Sequence, residues 1–197
     1  MNKVIGYKQI VKILILLIAS NSMLSAEGKN SYIGVAVAAE TSSTYLYEED
    51  ALAGLLIRSG YEFSKNFGIE VRGSMTLASE EKIKHDYSVG LFVKPKVRLA
   101  EKFTLYGLLG YGMHQISFPS IEDFTNGDVT NSKTSLSAIS YGIGMEYNVA
   151  DKWSLFLETM QVVNEGEKAS EGLYEIDVKG VYFGVNYRFN TNDRYSF

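Results

Sequence analysis

Between residues 31 and 189 polarity alternates with a period of two, in eight successive segments, and no stretch sustains a helical period. Side chains one residue apart point to opposite sides of a strand, so each segment builds one apolar and one polar face. The clearest segment sets Tyr87, Val89, Leu91, Val93, Pro95, Val97 and Leu99 against Asp86, Ser88, Gly90, Phe92, Lys94, Lys96 and Arg98. Another sets Phe67, Ile69, Val71, Met75 and Leu77 against Gly68, Glu70, Arg72, Ser74 and Thr76. The pattern predicts strands over 31–40, 51–63, 67–77, 86–99, 103–117, 135–149, 153–163 and 175–189. Each can supply the ~9–11 residues of a tilted membrane strand.

The connections fall into two kinds. Ser64-Lys65-Asn66, Ala100-Glu101-Lys102 and Ala150-Asp151-Lys152 are polar three-residue turns, each followed by an aromatic residue, whereas 41–50, 78–85, 118–134 and 164–174 are longer and polar. Short turns at one end and long loops at the other are the asymmetry of an outer-membrane barrel. A soluble eight-stranded carrier is the mirror alternative, with the apolar face inside. Tyr61, Phe63, Phe67, Phe103, Trp153, Tyr187 and Phe189 all fall at the turn ends of the apolar face, where an interface belt belongs. The polar face carries Arg58, Arg72, Lys94, Lys96, Arg98 and Arg188 against Glu40, Glu62, Glu70, Asp86, Glu146 and Glu158. Confined charges must be paired, so these twelve are expected to form an ion-pair network in the lumen. A first turn pairing Phe63 with Phe67 sets Arg58 opposite Arg72, with Glu70 as the bridge that prevents repulsion. Gly54, Gly60, Gly90, Gly110, Gly112, Gly142, Gly144, Gly180 and Gly184 share this face and are expected to make room for the long charged side chains. Pro95 lacks a ladder donor, which predicts a bulge near the turn.

The N-terminus has the grammar of an export signal: Lys3, Lys8 and Lys12, the apolar run Ile13 to Ala19, then small and polar residues. Cleavage is expected after Ala26, with Ser22 as the second choice, which divides the chain into a signal peptide at 1–26, a barrel at 27–190 and a short tail at 191–197. With no cysteine in 197 residues, disulfide scaffolds, thiolate metal sites and a lipidated cysteine are excluded. A net charge of -4 argues against a nucleic-acid partner.

The last strand, Tyr182-Phe183-Gly184-Val185-Asn186-Tyr187-Arg188-Phe189, resembles the C-terminal glycine-aromatic-aromatic signal recognised by the barrel-assembly machinery, with Gly184, Tyr187 and Phe189 at the matching positions. With the turns and loops, the chain resembles the small eight-stranded outer-membrane β-barrel family of the OmpA transmembrane domain and OmpX. The resemblance implies a monomer in the outer membrane of a Gram-negative bacterium, surrounded by lipid and lipopolysaccharide. The family usually ends at the final aromatic, whereas here Asn190 to Phe197 follow.

Function is expected to be structural or interactive, adhesin-like, with no cofactor, metal or catalytic residue. The loops carry Glu48, Glu49, Asp50, Glu122, Asp123, Asp128, Glu165, Glu167 and Glu171 against Lys133 and Lys168, interleaved with Tyr45, Leu46, Tyr47, Phe118, Ile121 and Phe124. That mixture suits a host or surface ligand. Two alternatives stay open. A narrow gated pore would use swapping ion pairs. A lipid A modifying enzyme would use His85 or His114 as base, although Ser117 lies three residues from His114 on the opposite face.

Overall fold

A computed structural model describes residues 30–44, 47–78, 84–119, 131–169 and 172–189, with side chains at 30–41, 53–77, 86–115, 135–162 and 178–189. Eight antiparallel strands follow in chain order: β1 Ser31–Thr44, β2 Tyr47–Glu62, β3 Phe67–Ala78, β4 Lys84–Ala100, β5 Phe103–Pro119, β6 Asn131–Asn148, β7 Trp153–Ala169 and β8 Gly172–Arg188. Each pairs with the next, and β8 pairs with β1, closing the barrel. Closure leaves no sheet edge along the apolar band, the condition for crossing hydrocarbon without unpaired backbone.

The polarity pattern maps onto the wall by parity. Even-numbered Ala36, Leu56, Phe92, Lys94, Tyr106, Glu146, Phe156 and Tyr182 are buried inside, while odd-numbered Val35, Leu91, Val93, Leu109, Ile139, Ile143 and Phe183 are exposed outside. Exposed aliphatic side chains in this number would be untenable in water and are satisfied by lipid. At the turn end Phe63, Phe67, Tyr147, Trp153 and Phe189 are exposed, and Tyr187 stacks edge-on between Trp153 and Phe189, with centroids 5.0 and 5.5 Å apart. The first turn is fastened by Ser64, whose Oγ accepts the amides of Asn66 and Phe67 at 3.2 and 3.0 Å.

Three expectations need correction. The strands run further toward the loops than alternation indicated: β7 and β8 stay paired up to Ala169↔Gly172, and β5 and β6 up to Pro119↔Asn131. Hairpin ladders need no apolar face, so where both faces meet water the alternation fades while the pairing persists. The bulge expected near the turn is present, but it sits past Pro95 rather than at it. On one side the Lys96 amide bonds Asn66 O at 2.8 Å, so Pro95 turns its donorless nitrogen toward β5. There the pairing lapses between Val93↔Leu109 and Lys96↔Tyr106, but the register continues, and the shift falls at Arg98/Ala100, beside the turn. Finally, the inward glycines mainly admit aromatic rings. A Cβ on Gly144 would lie 2.5 Å from the Tyr106 ring, one on Gly184 2.6 Å from Phe156, and one on Gly60 2.5 Å from Tyr32.

Candidate functional site

Among the described residues the charged and hydrogen-bonding side chains gather in the lumen, and its two halves differ. On the turn side lies a connected set of charges. Arg58 and Arg72 face one another across β2 and β3, and two carboxylates hold them together. Glu158 binds Arg58 at 2.9 Å and Arg72 at 2.5 Å. Glu70 binds Arg72 closely, Arg58 at 3.7 Å and Lys94 at 3.3 Å. Lys94 continues to Glu146 at 3.7 Å, and Glu146 is paired with Arg188. Arg188 reaches Glu62 at 2.9 Å, and Lys96 meets the same carboxylate at 2.6 Å. Arg58, Glu70, Arg72, Lys94 and Glu158 are almost fully buried.

Hydroxyls and amides complete this set. Tyr32 donates to Glu70 and accepts from Lys94 Nζ at 2.9 Å, Tyr106 donates to Glu158 at 2.7 Å, and Ser154 donates to Glu146 at 2.6 Å. Arg58 Nε donates to Asn186 Oδ1 at 2.9 Å. Five cations, Arg58, Arg72, Lys94, Lys96 and Arg188, meet four carboxylates, Glu62, Glu70, Glu146 and Glu158. The surplus positive charge has a further outlet: Arg58 Cζ lies 3.3 Å from the Phe156 ring centroid, a cation–π contact that tolerates an Nη2 with no hydrogen-bond partner.

The other three of the twelve lumen charges expected from the sequence are Glu40, Asp86 and Arg98. Glu40 is buried on the loop side and accepts the Tyr182 hydroxyl at 2.7 Å. Asp86 is half-buried near the loop end of β4, and Arg98 is exposed at the turn-side rim. Of the residues matched to the assembly signal, Gly184 is buried where Phe156 crosses the lumen, Tyr187 belongs to the outer aromatic cluster, and Phe189 donates its amide to Ser31 O at 3.0 Å.

On the loop side the lumen changes character. Leu56, Leu108, Leu136, Ala138, Met160, Val162 and Val178 form a buried apolar cluster with Ala36 and Ala38. His114 is buried there. Ser88 lies directly opposite it across β4 and β5, a juxtaposition that sequence separation hides and only strand register reveals. Ser88 Oγ shares a hydrogen bond with Ser74 Oγ at 2.7 Å, and Ser140 donates to Val162 O, so these hydroxyls are engaged. The side chains of His85 and Ser117 lie outside the described residues. Among the described residues no cluster of metal-ligating side chains occurs.

A cavity of about 20 Å³ lies beside His114, Ser88 and Met160, and another of about 40 Å³ lies among Glu62, Lys96, Glu146 and Arg188. Each suits a water or two. The Arg58, Arg72, Glu70 and Glu158 layer lies between the residues lining the first and those lining the second.

An apolar exterior, a closed antiparallel wall and an ion-paired interior define a transmembrane β-barrel with a plugged lumen. The chain belongs to the outer membrane protein beta-barrel domain family, whose model matches residues 13–189. It is therefore a protein of the Gram-negative outer membrane. Among solved structures it is similar to Ail, the attachment invasion locus protein of Yersinia pestis, at 22% identity and a TM-score of 0.58, covering 82% of this chain and 99% of that one. Neisserial surface protein A is 14% identical with a TM-score of 0.61, over 80% of this chain and 96% of that one. OprG from Pseudomonas aeruginosa is 12% identical with a TM-score of 0.50, over 83% and 97%. Likeness at these identities establishes the fold alone. No curated protein sequence matches the chain.

Proposed function

We propose that this barrel is a non-enzymatic surface-interaction protein whose work is done by its extracellular end, an adhesin-like role. The observation that carries this reading is the plugged lumen: a buried layer of two arginines and two glutamates separates cavities of about 20 and 40 Å³. Cavities of that size hold water rather than an acyl chain. The barrel then serves as an anchor and the loops as the variable part. Lipopolysaccharide and the barrel-assembly machinery complete its expected partners.

Ail, of the same fold, has been captured with the heparin analogue sucrose octasulfate, so a small barrel of this architecture can hold a ligand. The ligand class should differ here. The first, third and fourth loop regions carry nine acids against Lys133 and Lys168, which repel a polysulfate and favour a cationic partner. The test exchanges the first and third loops for neutral Gly-Ser segments. Bacteria carrying the native protein should be retained on surfaces coated with serum or matrix proteins, and the exchanged form should lose that retention while its barrel assembles normally. Equal retention of both forms overturns the proposal.

A further inference from the structure

The twelve lumen charges balance in number but not in place. Glu40 lies on the loop side and Asp86 near the loop end of β4. Toward the turns stand six cations, the five of the ion-paired set and Arg98, against four carboxylates. The excess collects at one place. The turn-side cavity of about 40 Å³ is lined by Lys94, Lys96, Arg98 and Arg188 and by the carboxylates Glu62 and Glu146, so four positive charges meet two negative ones. Charge confined away from bulk water costs free energy until a counter-charge reaches it.

The strand ends hold these groups in place. Glu62 and Arg188 close β2 and β8, and both ends are tied to the start of β1, the Glu62 amide to Asn30 O at 2.9 Å and the Phe189 amide to Ser31 O at 3.0 Å. Parity turns Lys94, Lys96 and Arg98 of β4 to the same side. The cavity faces the periplasm, since Lys96, Thr104, Asn148 and Arg188 are partly exposed and Arg98 is exposed.

Three buried polar atoms of the lining have no hydrogen-bond partner among the described residues: Arg188 Nε, a donor, and Glu62 Oε1 and Asn148 Oδ1, both acceptors. The other atoms of the charged groups are engaged. Arg188 Nη1 holds Glu62 Oε2 at 2.9 Å and Nη2 holds Glu146, while Lys96 Nζ meets the same Glu62 oxygen at 2.6 Å. Two demands therefore coincide. The excess positive charge calls for an anion, and the two acceptors call for a ligand with hydrogen-bond donors of its own. Water has the donors without the charge, and sulfate or chloride has the charge without the donors. A phosphate group, still partly protonated near neutral pH, has both, and its oxygens suit a guanidinium donor.

We propose that the turn-side mouth of the lumen binds a protonated phosphate group, in inorganic phosphate or a phosphate monoester, reached from the periplasm. Glu62 Oε1 accepts from the P–OH group, Arg188 Nε donates to a phosphoryl oxygen, and Lys96 and Arg98 supply balancing charge. A cavity of about 40 Å³ takes two oxygen atoms, so the group enters edge-on with its remaining substituents toward the periplasm. This site lies at the opposite end of the barrel from the loops, and neither role depends on the other.

The test titrates the full mature protein, in alkyl glycoside micelles without phosphate, with inorganic phosphate at neutral pH and follows backbone amides by NMR. Phosphate should shift the amides of Lys96, Arg98, Asn148 and Arg188 saturably, and sulfate at equal ionic strength should bind roughly tenfold more weakly or worse. Glu62→Gln places an amide donor where the carboxylate accepted, so it should bring the two anions to similar affinity. Arg98→Ala, at the exposed rim, should weaken both by about twofold to fivefold. Absence of shifts at these amides, or sulfate binding as tightly as phosphate to the unaltered protein, overturns the proposal. A folded Glu62→Gln variant that keeps the preference also overturns it, and the unaltered protein decides the matter if that variant does not fold. Competition then identifies the source. Displacement of inorganic phosphate by glycerol phosphate marks a soluble monoester, displacement by phosphatidic acid alone marks a lipid headgroup, and displacement by neither leaves inorganic phosphate as the ligand.

Discussion

The turn half and the loop half of the lumen face the same problem, filling a narrow tube, and solve it with opposite chemistry. Near the turns, Glu70 and Glu158 bind cations from β2, β3 and β4. Near the loops the space is taken by Leu56, Leu136, Met160 and Val162. The apolar half gains from each buried group separately. The charged half is different, because desolvation offsets most of its Coulomb attraction. Its members are therefore worth little as a set and much as individuals. The difference assigns the two halves different expected roles: a specificity device that fixes which strands lie together in the charged half, and ordinary burial in the apolar half.

The strongest way to break this comparison is Glu158→Ala, which strands two buried arginines and should destabilise the barrel by about 3–5 kcal/mol in urea unfolding from lipid vesicles. A loss below about 1 kcal/mol would mean that water reaches the site. Leu56→Ala, two residues from Arg58 on β2 and in the apolar half, should cost about 2–3 kcal/mol in the same assay. Gly144→Ala would set a Cβ 2.5 Å from the Tyr106 ring, and about 1–3 kcal/mol of overpacking is expected, with a perturbed Tyr106 signal by NMR. Replacing Arg58, Arg72 and Glu158 together by Met, Met and Leu leaves Glu70 paired with Lys94 and should be nearly neutral in unfolding midpoint if the plug is a specificity device, although refolding should then yield more misassembled barrel on gels. The smallest effect belongs to Lys96→Ala at the rim, where the side chain is 10% exposed and a loss under about 1 kcal/mol is expected.

Parity made much of this architecture legible beforehand. Glu70, Arg72 and Glu158 occupy even positions in segments whose odd positions are apolar, so their inward placement follows from alternation alone. The choice of partners does not. Arg58 meets Glu158 across 100 residues, a consequence of closure and shear that no local pattern encodes. Tyr32, Tyr106, Phe156 and Tyr182 also sit at even positions, whereas the seven aromatics read as an interface belt are all at odd ones, so no lumen role was assigned to these four. What betrays them is the glycines opposite, since Gly60, Gly144 and Gly184 vacate the volume that the rings occupy. The β6–β7 ladder stops at Tyr141↔Gln161, short of the ends of both strands, and this was hidden for another reason. It depends on one extra residue in β7, and a single bulge resembles ordinary variation in a strand's end.

The even-inside, odd-outside rule behaves like a reading frame. Between its bulges, each strand has a phase set by the lipid. One residue gained or lost there would exchange the lumen and membrane faces of everything downstream in that strand, presenting arginine to hydrocarbon and leucine to the plug. Length change is thus confined to the loop side, where water accepts either face, and a chain of this kind can vary freely only at the end it shows to the outside world.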